Sequence, residues 1–444
     1  MRIHNLVPIF CVGGAYALPT LSWLPQFPVE GLVRCWGIFA PLSEDRTIYQ
    51  VLKDDERYSR LVKAINLSDE VTDLLDDPAA SITFFAVPNT GIPHRQPSHG
   101  DDDNHQLDFA SLAPKRGDEP DITYDLGHLV LQVEELDNIP ESRTCRIIRA
   151  ILAYHILPKK LDSTALVQNS TYATNLTLND GSMDYQPLRL SVQSTIRDTE
   201  ASNGVIHSIN IPLLPPPSLF NEMFAFPEVF SYVTSAIQHV GLIGAVDYWR
   251  IPDKDCHISF VGAELATFFA PTSGAFQRLP KKLRLFLFSP FGARALRKLL
   301  EYHVVPQLVL HTDYVHNATS YTALIDDREA GVFVDSPGNP LYAYNLTLPT
   351  LLENHSLNVQ VARYKAKIPL PGPARYFTRF VVNGHDVGPY DIPARNGALH
   401  VITNLLDPRG HHKEDHKHRG HEHESVDVDW EDWEEWLPQW AMQD

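Results

Sequence analysis

The sequence predicts an α+β protein made of two tandem copies of one module, each combining packed helices with short, mostly antiparallel strands. Two observations predict it. Three apolar blocks recur in the same order: ITFFAVPN at 82–89 and ATFFAPTS at 266–273, IIRAILAYHILP at 147–158 and ALRKLLEYHVVP at 295–306, NGVIHSIN at 203–210 and NGALHVIT at 396–403. Each copy also joins amphipathic helical stretches to short alternating apolar runs with Asn-Gly turns. The copies are too far apart for a short solenoid repeat, and 444 residues allow each to bury its own core.

Residues 1–17, MRIHNLVPIFCVGGAYA, have a short greasy stretch ending in the small-x-small triplet Ala15-Tyr16-Ala17, the form of a secretory signal peptide. Pro8, Gly13 and Gly14 dilute it, and a disordered tail is the competing reading. Residues 18–43, rich in proline and aromatics without a period, read as an extended lead-in. The first domain spans 44–217. It opens with a helical pattern that puts Ile48, Leu52, Tyr58, Leu61, Val62 and Ile65 on one side, with Ser43 or Asp45 as cap. SITFFAV is a short buried strand closed by Pro88. Residues 91–126 carry almost no large apolar side chain and read as a solvated loop. Thr83 to His155 spans 72 residues and Thr267 to His303 spans 36, so this loop is an insertion into an otherwise matching module. A helix stopped by proline follows, then strands at YATNLTL, LRLSV and GVIHSINIPLL. LLPPPS at 213–218 is a stiff joint. The second domain, 218–408, runs from the helical VFSYVTSAIQHVGLIGAV through strands at YAYNLTL, LNVQVARY, FTRFVVNGHDV and GALHVITNLL. Residues 409–444 form a histidine-rich acidic tail.

The net charge of −18 argues against nucleic acid or an anionic membrane as partner. Eleven Asp/Glu against three Lys/Arg make His411–Asp444 alone contribute −8. Six Asn-x-Ser/Thr sequons, at Asn66, Asn169, Asn175, Asn317, Asn345 and Asn354, are glycosylation candidates and fit a secreted or cell-surface chain. Without the leader, Cys35, Cys145 and Cys256 remain, an odd set with no metal or redox spacing. One disulfide at most joins them; Cys35–Cys256 and Cys35–Cys145 are both open, and Cys145 reads equally as a buried thiol.

Each copy carries two histidines at matching places, His155 and His303 at the helix end, His207 and His400 in the final strand. Imidazole titrates near neutrality, which makes these the candidates for general bases or metal ligands. Periodicity argues for the core instead: His155 follows Ile147, Ile148, Ile151 and Leu152 on one helix face, and His303 follows Leu296, Leu299 and Leu300. A buried ring needs a hydrogen-bond partner. The polar turn after the first strand, Asn89 in one copy and Thr272 or Ser273 in the other, is the expected one. Tyr154 and Tyr302 read as core residues whose hydroxyls reach water or a neighbour. No nucleophile elbow, H-E-x-x-H or phosphate loop is present, and the aspartate pairs and triplet read as solvated charge. The rival reading is a hydrolase that uses His155 or His303.

The repeated blocks resemble the fasciclin-like (FAS1) domain family. ATFFAPTSGAF at 266–276 is similar to its first signature block, with TFFAVPN at 83–89 a weaker match. LLEYHVVP and ILAYHILP look like its Tyr-His segment, and VVNGHDV with NGALHVITNLL resembles its closing block, as does NGVIHSINIPLL. The resemblance implies two wedge-shaped domains of the kind found in secreted, cell-wall or surface-attached proteins, fungal ones among them. Their roles are adhesion and matrix or cell-wall binding, with extracellular matrix, cell-wall glycan or surface protein as partner and no cofactor. The C-terminus departs from members that carry a glycolipid anchor: WEDWEEWLPQWAMQD is acidic and lacks the hydrophobic tail that signal requires. No stretch is long enough for a transmembrane span.

The tail lies outside the resemblance. His411, His412, His416, His418, His421 and His423 read as a solubilising segment, with loose divalent-metal binding as the sharper alternative. Trp430, Trp433, Trp436 and Trp440 fall within about 120° of a helical wheel. Such a face covers a surface, either the protein's own domains or a basic partner recruited through the tail.

Overall fold

The computed structural model describes residues 46–92, 141–192, 197–252, 258–318, 340–366, 375–409 and 430–443. The expected signal peptide, the lead-in, nearly all of the polar insertion, Cys35, Cys256 and the six tail histidines lie outside the described residues. Of Cys145, only its place in the helix Glu141–Tyr154 is described. The chain divides into two compact units, Met1–Val167 with Val192–Leu214, and Gln168–Ser191 with Pro215–Asp444.

In the first unit the chain starts with the helix Ile48–Lys53. Thr47 caps it in a reciprocal box: its side chain accepts from the Gln50 N–H and the Gln50 side chain accepts from its own. The expected single helix is interrupted. The Asp55 carboxylate accepts the Arg57 N–H at 3.0 Å and starts a new turn, Glu56–Tyr58, before the helix Ser59–Ile65. A short acidic side chain competes with the helix for its own backbone, so an aspartate pair breaks a pattern whose apolar face runs on. Ile48, Leu52, Leu61 and Ile65 from these helices, and Leu75 from the next helix Asp69–Asp76, pack with Phe84, Ile148, Leu152, Ile156 and Ile206.

The sheet they cover has the order Ile156–Leu157, Ile82–Ala86, Gly204–Ser208, Arg197–Ala201. Its two central strands run parallel, in register from Ile82↔Gly204 to Ala86↔Ser208, and the outer pairings are antiparallel. The second unit repeats the arrangement with Val304–Pro306, Ala266–Pro271, Gly397–Ile402 and Ile392–Ala394, again with a parallel central pair. A largely antiparallel α+β fold thus carries one parallel pairing per copy, between the first and last blocks of the repeat. Every residue of Ala266–Pro271 is buried, the pattern of a strand covered on both faces. Gly397 enters its strand at φ 152°, and a Cβ there would fall onto the Ala266 carbonyl oxygen. Gly204 stands in the same relation to Ile82, so the Asn-Gly of each closing block is fixed by close backbone approach.

The second unit adds a four-stranded antiparallel sheet, Tyr342–Pro349, Ser356–Ala366, Arg375–Val382 and His385–Asp386. Leu357, Val359, Val361, Phe380 and Val382 alternate onto its inner face and pack with Phe269, Leu310 and Ile402. The hairpin Thr171–Thr177 with Pro187–Ser191, which chain order assigns to the first domain, belongs to this unit. Asp313 accepts from the Thr171 N–H at 2.7 Å and its hydroxyl at 2.6 Å, the Arg189 guanidinium lies 4.1 Å from the Tyr314 ring centre, and Asp180 pairs with Arg395. Two strands alone are marginal in water, so the hairpin's place is set by what it packs on.

The tail helix Trp433–Met442 packs on the helix Ala293–Tyr302 of the same unit. Trp430, Trp433, Leu437 and Ala441 are buried. Trp433 lies 5.1 Å from Phe286, ring to ring, and the Arg409 guanidinium sits 4.2 Å from the Trp436 ring while pairing with Asp432 at 2.7 Å. Of the two expectations for this aromatic face, the structure shows it covering its own domain, so the buried part is not presented to a recruited partner. Replacing Leu437 with Ala should cost roughly 2–5 kcal/mol, the usual range for a buried leucine. Truncation after residue 429 should lower the urea midpoint and increase binding of an apolar dye. Unchanged midpoints in both variants would show that the helix contributes nothing.

Candidate functional site

The residues that recur between the copies converge on the same polar contacts. The His303 ring is fully buried; its Nδ1 donates to the Leu299 carbonyl at 2.6 Å and its Nε2 accepts the Leu406 N–H at 3.0 Å. His155 does the same with the Ile151 carbonyl at 2.8 Å and the Leu213 N–H at 3.0 Å. A carbonyl only accepts and an amide only donates, so each ring is held neutral in its Nδ1–H tautomer. Burial pulls both pKa values down to about 4, against the smaller raising effect of the helix carbonyl. The expected partners were the turn side chains, and the structure corrects this. Asn89 instead accepts the Arg60 N–H and donates to the Glu56 carbonyl, while Thr272 caps the helix Ser273–Arg278. Asn89 thus braces the earlier helical turns and Thr272 its own helix, and the rings find backbone groups at the helix end and beyond the last strand.

The closing-strand histidines are also buried. His400 accepts the Asp391 N–H at Nδ1, 3.1 Å, and donates from Nε2 to the Leu310 carbonyl, 2.8 Å. Burial lowers its pKa to about 4 although Asp391 opposes the shift. His207 reaches the Leu161 carbonyl from Nε2 at 2.9 Å. Two further pairs are shared and were not singled out from sequence. Thr83 bonds the Lys159 carbonyl and the Leu161 N–H, as Thr267 bonds Leu308 and Leu310. Asn203 accepts the Ile48 N–H as Asn396 accepts that of Leu219. The signal was present, since both residues sit inside the repeated blocks. Tyr154 and Tyr302 are buried, and the Tyr302 hydroxyl accepts from the Asn383 side chain at 2.7 Å.

The second unit alone adds a buried relay. Arg363 donates to Ser170 Oγ at 2.7 Å, Ser170 lies 3.2 Å from Thr312 Oγ1, and Thr312 donates its N–H to Asp391 at 2.7 Å and its hydroxyl to the same carboxylate. Burial works to raise the Asp391 pKa, but contacts from His311 and Thr312 leave it below the ordinary carboxylate value. His311 Nδ1 is 3.6 Å from Asp391, so a histidine, a hydroxyl and a carboxylate meet here. The order is wrong for nucleophile activation. The Thr312 hydroxyl bonds the carboxylate rather than the imidazole, and all three residues are inaccessible to solvent. Neither His155 nor His303 has a Ser, Asp or Glu bonded to its ring. An apolar hollow of about 60 Å³ lies beside His155, walled by Leu61, Val87, Ile92, Ile148, Ile151 and Leu152, and it adds no carboxylate or hydroxyl.

Of the sequons, Asn66, Asn175, Asn345 and Asn354 are exposed, and Asn169 and Asn317 are half-buried. Among the described residues no group of three His, Cys, Asp or Glu is arranged to hold a metal ion, and no helix is long and apolar enough to cross a membrane.

The buried imidazoles set a pH dependence. Folded His155, His303 and His400 have pKa values near 4 against 6.5 unfolded, so between those values the unfolded chain binds more protons. Stability is therefore full above about pH 6.5 and is lost as pH falls toward 4, by roughly 3 kcal/mol per ring. Urea unfolding at pH 7.5, 6, 5 and 4.5 should show the midpoint falling with pH. His303→Ala should cost roughly 1–3 kcal/mol at pH 7.5 and flatten the slope. An unchanged midpoint and slope would mean the ring is not part of the core.

Two stretches, residues 131–215 and 259–408, match the model of the Fasciclin domain. A protein of Gibberella zeae, aurofusarin biosynthesis cluster protein S, is 30% identical over 217 residues, covering 47% of this chain; the chain spans 46% of that relative. Among solved structures, a FAS1 domain pair from the insect cell adhesion molecule fasciclin I aligns over 79% of this chain and 96% of its own, at 16% identity and a TM-score of 0.27. The matched residues include the Tyr-His and closing blocks of both copies and make up more than half of the chain, which therefore belongs to the Fasciclin domain family.

Proposed function

We propose that this chain is a non-enzymatic adhesion protein of the extracellular space or cell surface, binding matrix, cell-wall glycan or a surface protein. Fasciclin domains are non-catalytic adhesion modules. One observation carries the reading: the histidines, threonines and asparagines common to the two copies are buried and bonded to their own backbone. Shared chemistry of that kind holds a fold and leaves nothing to act on a substrate, so recognition falls to the surfaces. Exposed sequons at Asn66, Asn175, Asn345 and Asn354 support passage through a secretory lumen. The loose metal affinity expected of the tail histidines would be an accessory to this role.

The relative from Gibberella zeae favours a second setting. Its name ties that protein to a biosynthesis cluster, and on this second reading the chain would serve such a cluster as a binding module.

A C-terminally tagged full chain expressed in its host should appear in the medium or at the cell surface. It should lose mass on N-glycosidase treatment and be retained on cell-wall or matrix preparations. A cytosolic, unglycosylated chain would overturn the compartment; a secreted chain retained on no such preparation would overturn adhesion.

A further inference from the structure

The outer face of the second unit's four-stranded sheet carries a strip whose chemistry points to a ligand. Side chains alternate along a strand, and Val361, Arg363, Thr378 and Phe380 turn inward, so Ala362, Tyr364, Ala366, Arg375, Phe377 and Arg379 turn outward. Register places them in three rows: Ala366 beside Arg375, Tyr364 beside Phe377, Ala362 beside Arg379. The middle row is a stacked pair, ring centres 5.0 Å apart and 12° from parallel, with Phe377 53% exposed. In the rows above and below, an exposed arginine stands opposite an alanine too small to cover it.

On a chain of net charge −18 this strip holds two guanidinium groups and no carboxylate. Asp386, the nearest outward acid by register, is one row beyond, beside Val381 on the next strand. Among the described residues neither arginine forms an ion pair. Among the described residues the strand is a sheet edge along 375–380, since His385–Asp386 pairs only with Val381 and Val382. Charge on an edge strand discourages strand-to-strand association, and that alone accounts for the arginines. The stacked ring pair between them supports the strand pairing, and it leaves the outer face of Phe377, 53% exposed, flanked by the two guanidinium groups.

We infer that this strip docks an anionic polysaccharide. The inference rests on the adhesion reading above and names its partner class. A flat aromatic pair offers a platform for the apolar face of a sugar ring. Guanidinium groups four residues apart on one strand, roughly 14 Å, offer bidentate donors to carboxylates repeated along a glycan. An anionic bilayer is matched by a larger cluster of basic side chains. An acidic peptide would use the arginines and leave the rings without a role. Copy one has no counterpart to these strands among its described residues, so the strip belongs to the second unit.

The test uses the secreted full chain, N-glycosidase-treated so that a glycan at Asn345, one row along the same face, does not cover the strip. Binding to polygalacturonate is measured at 50 and 200 mM salt for the natural chain, Phe377→Ser and Arg375→Gln/Arg379→Gln. Retention on the cell-wall or matrix preparation is measured in parallel. The natural chain should bind, more weakly at high salt, and each variant should lose about tenfold in affinity with an unchanged urea midpoint. Variants that bind as the natural chain does would overturn the assignment to this face. A natural chain that ignores polygalacturonate, or binds poly-glutamate or phosphatidylserine vesicles equally well through the same residues, would overturn the polysaccharide. If retention on the preparation persists in that case, adhesion stands and only this inference falls.

Discussion

The fold of each copy depends on one neutral imidazole clamped between two backbone groups of opposite polarity. His303 closes the end of its helix by satisfying a carbonyl of the last turn, a group the helix itself cannot pair, and holds the chain after the final strand through Leu406. Its own carbonyl accepts the Phe269 N–H, so the same residue also ties the helix to the first strand. His155 repeats all three links with Ile151, Leu213 and Phe85. No other side chain both donates and accepts along this line from a ring of this size. That is why the Tyr-His block, the first-strand block and the closing block recur together and in order.

Burial of those blocks was legible because apolar spacing reports it directly. Helical spacing put His155 and His303 on the packed face, and the rings are 2% and 0% exposed. Their partners were not legible, for a physical reason. A backbone amide or carbonyl exists at every position, so nothing in the amino-acid alphabet marks Leu213 or Leu406 as a donor, whereas Asn89 and Thr272 advertise polar groups that helix starts, distant for Asn89 and adjacent for Thr272, then use. The parallel central pair left a weak signal, an unbroken apolar run in place of alternation. The relay through Ser170, Thr312, Arg363 and Asp391 left none, because its members come from four distant segments and meet only in the folded chain.

Chain order also misassigns the hairpin at 171–191. Copy two builds a four-stranded layer between its Tyr-His block and its closing block, while copy one has only these two strands at the corresponding place. A two-stranded ribbon lacks the apolar area to stand by itself. Thr171, Arg189 and Asp180 therefore find charged partners at Asp313 and Arg395, and the ribbon is counted with the unit that supplies them. Duplication of sequence has not produced duplication of structure: the helices and the central sheet are repeated, and the outer layer is not.

That asymmetry bears on how adhesion works. If recognition resided in what the copies share, a tandem chain would be bivalent, and linkage alone would strengthen binding to a repetitive ligand. The shared groups are buried, and the outward Tyr364–Phe377 row lies on strands that, among the described residues, only the second copy builds. A single chain then carries one such strip, flat and open at an edge, with two charge-assisted contacts and one stacking platform. Contacts of this number give modest affinity to an isolated glycan segment. On the proposed glycan reading, firm attachment to a wall or matrix would then come from many chains displayed on one surface, each engaging a different segment of the same polymer.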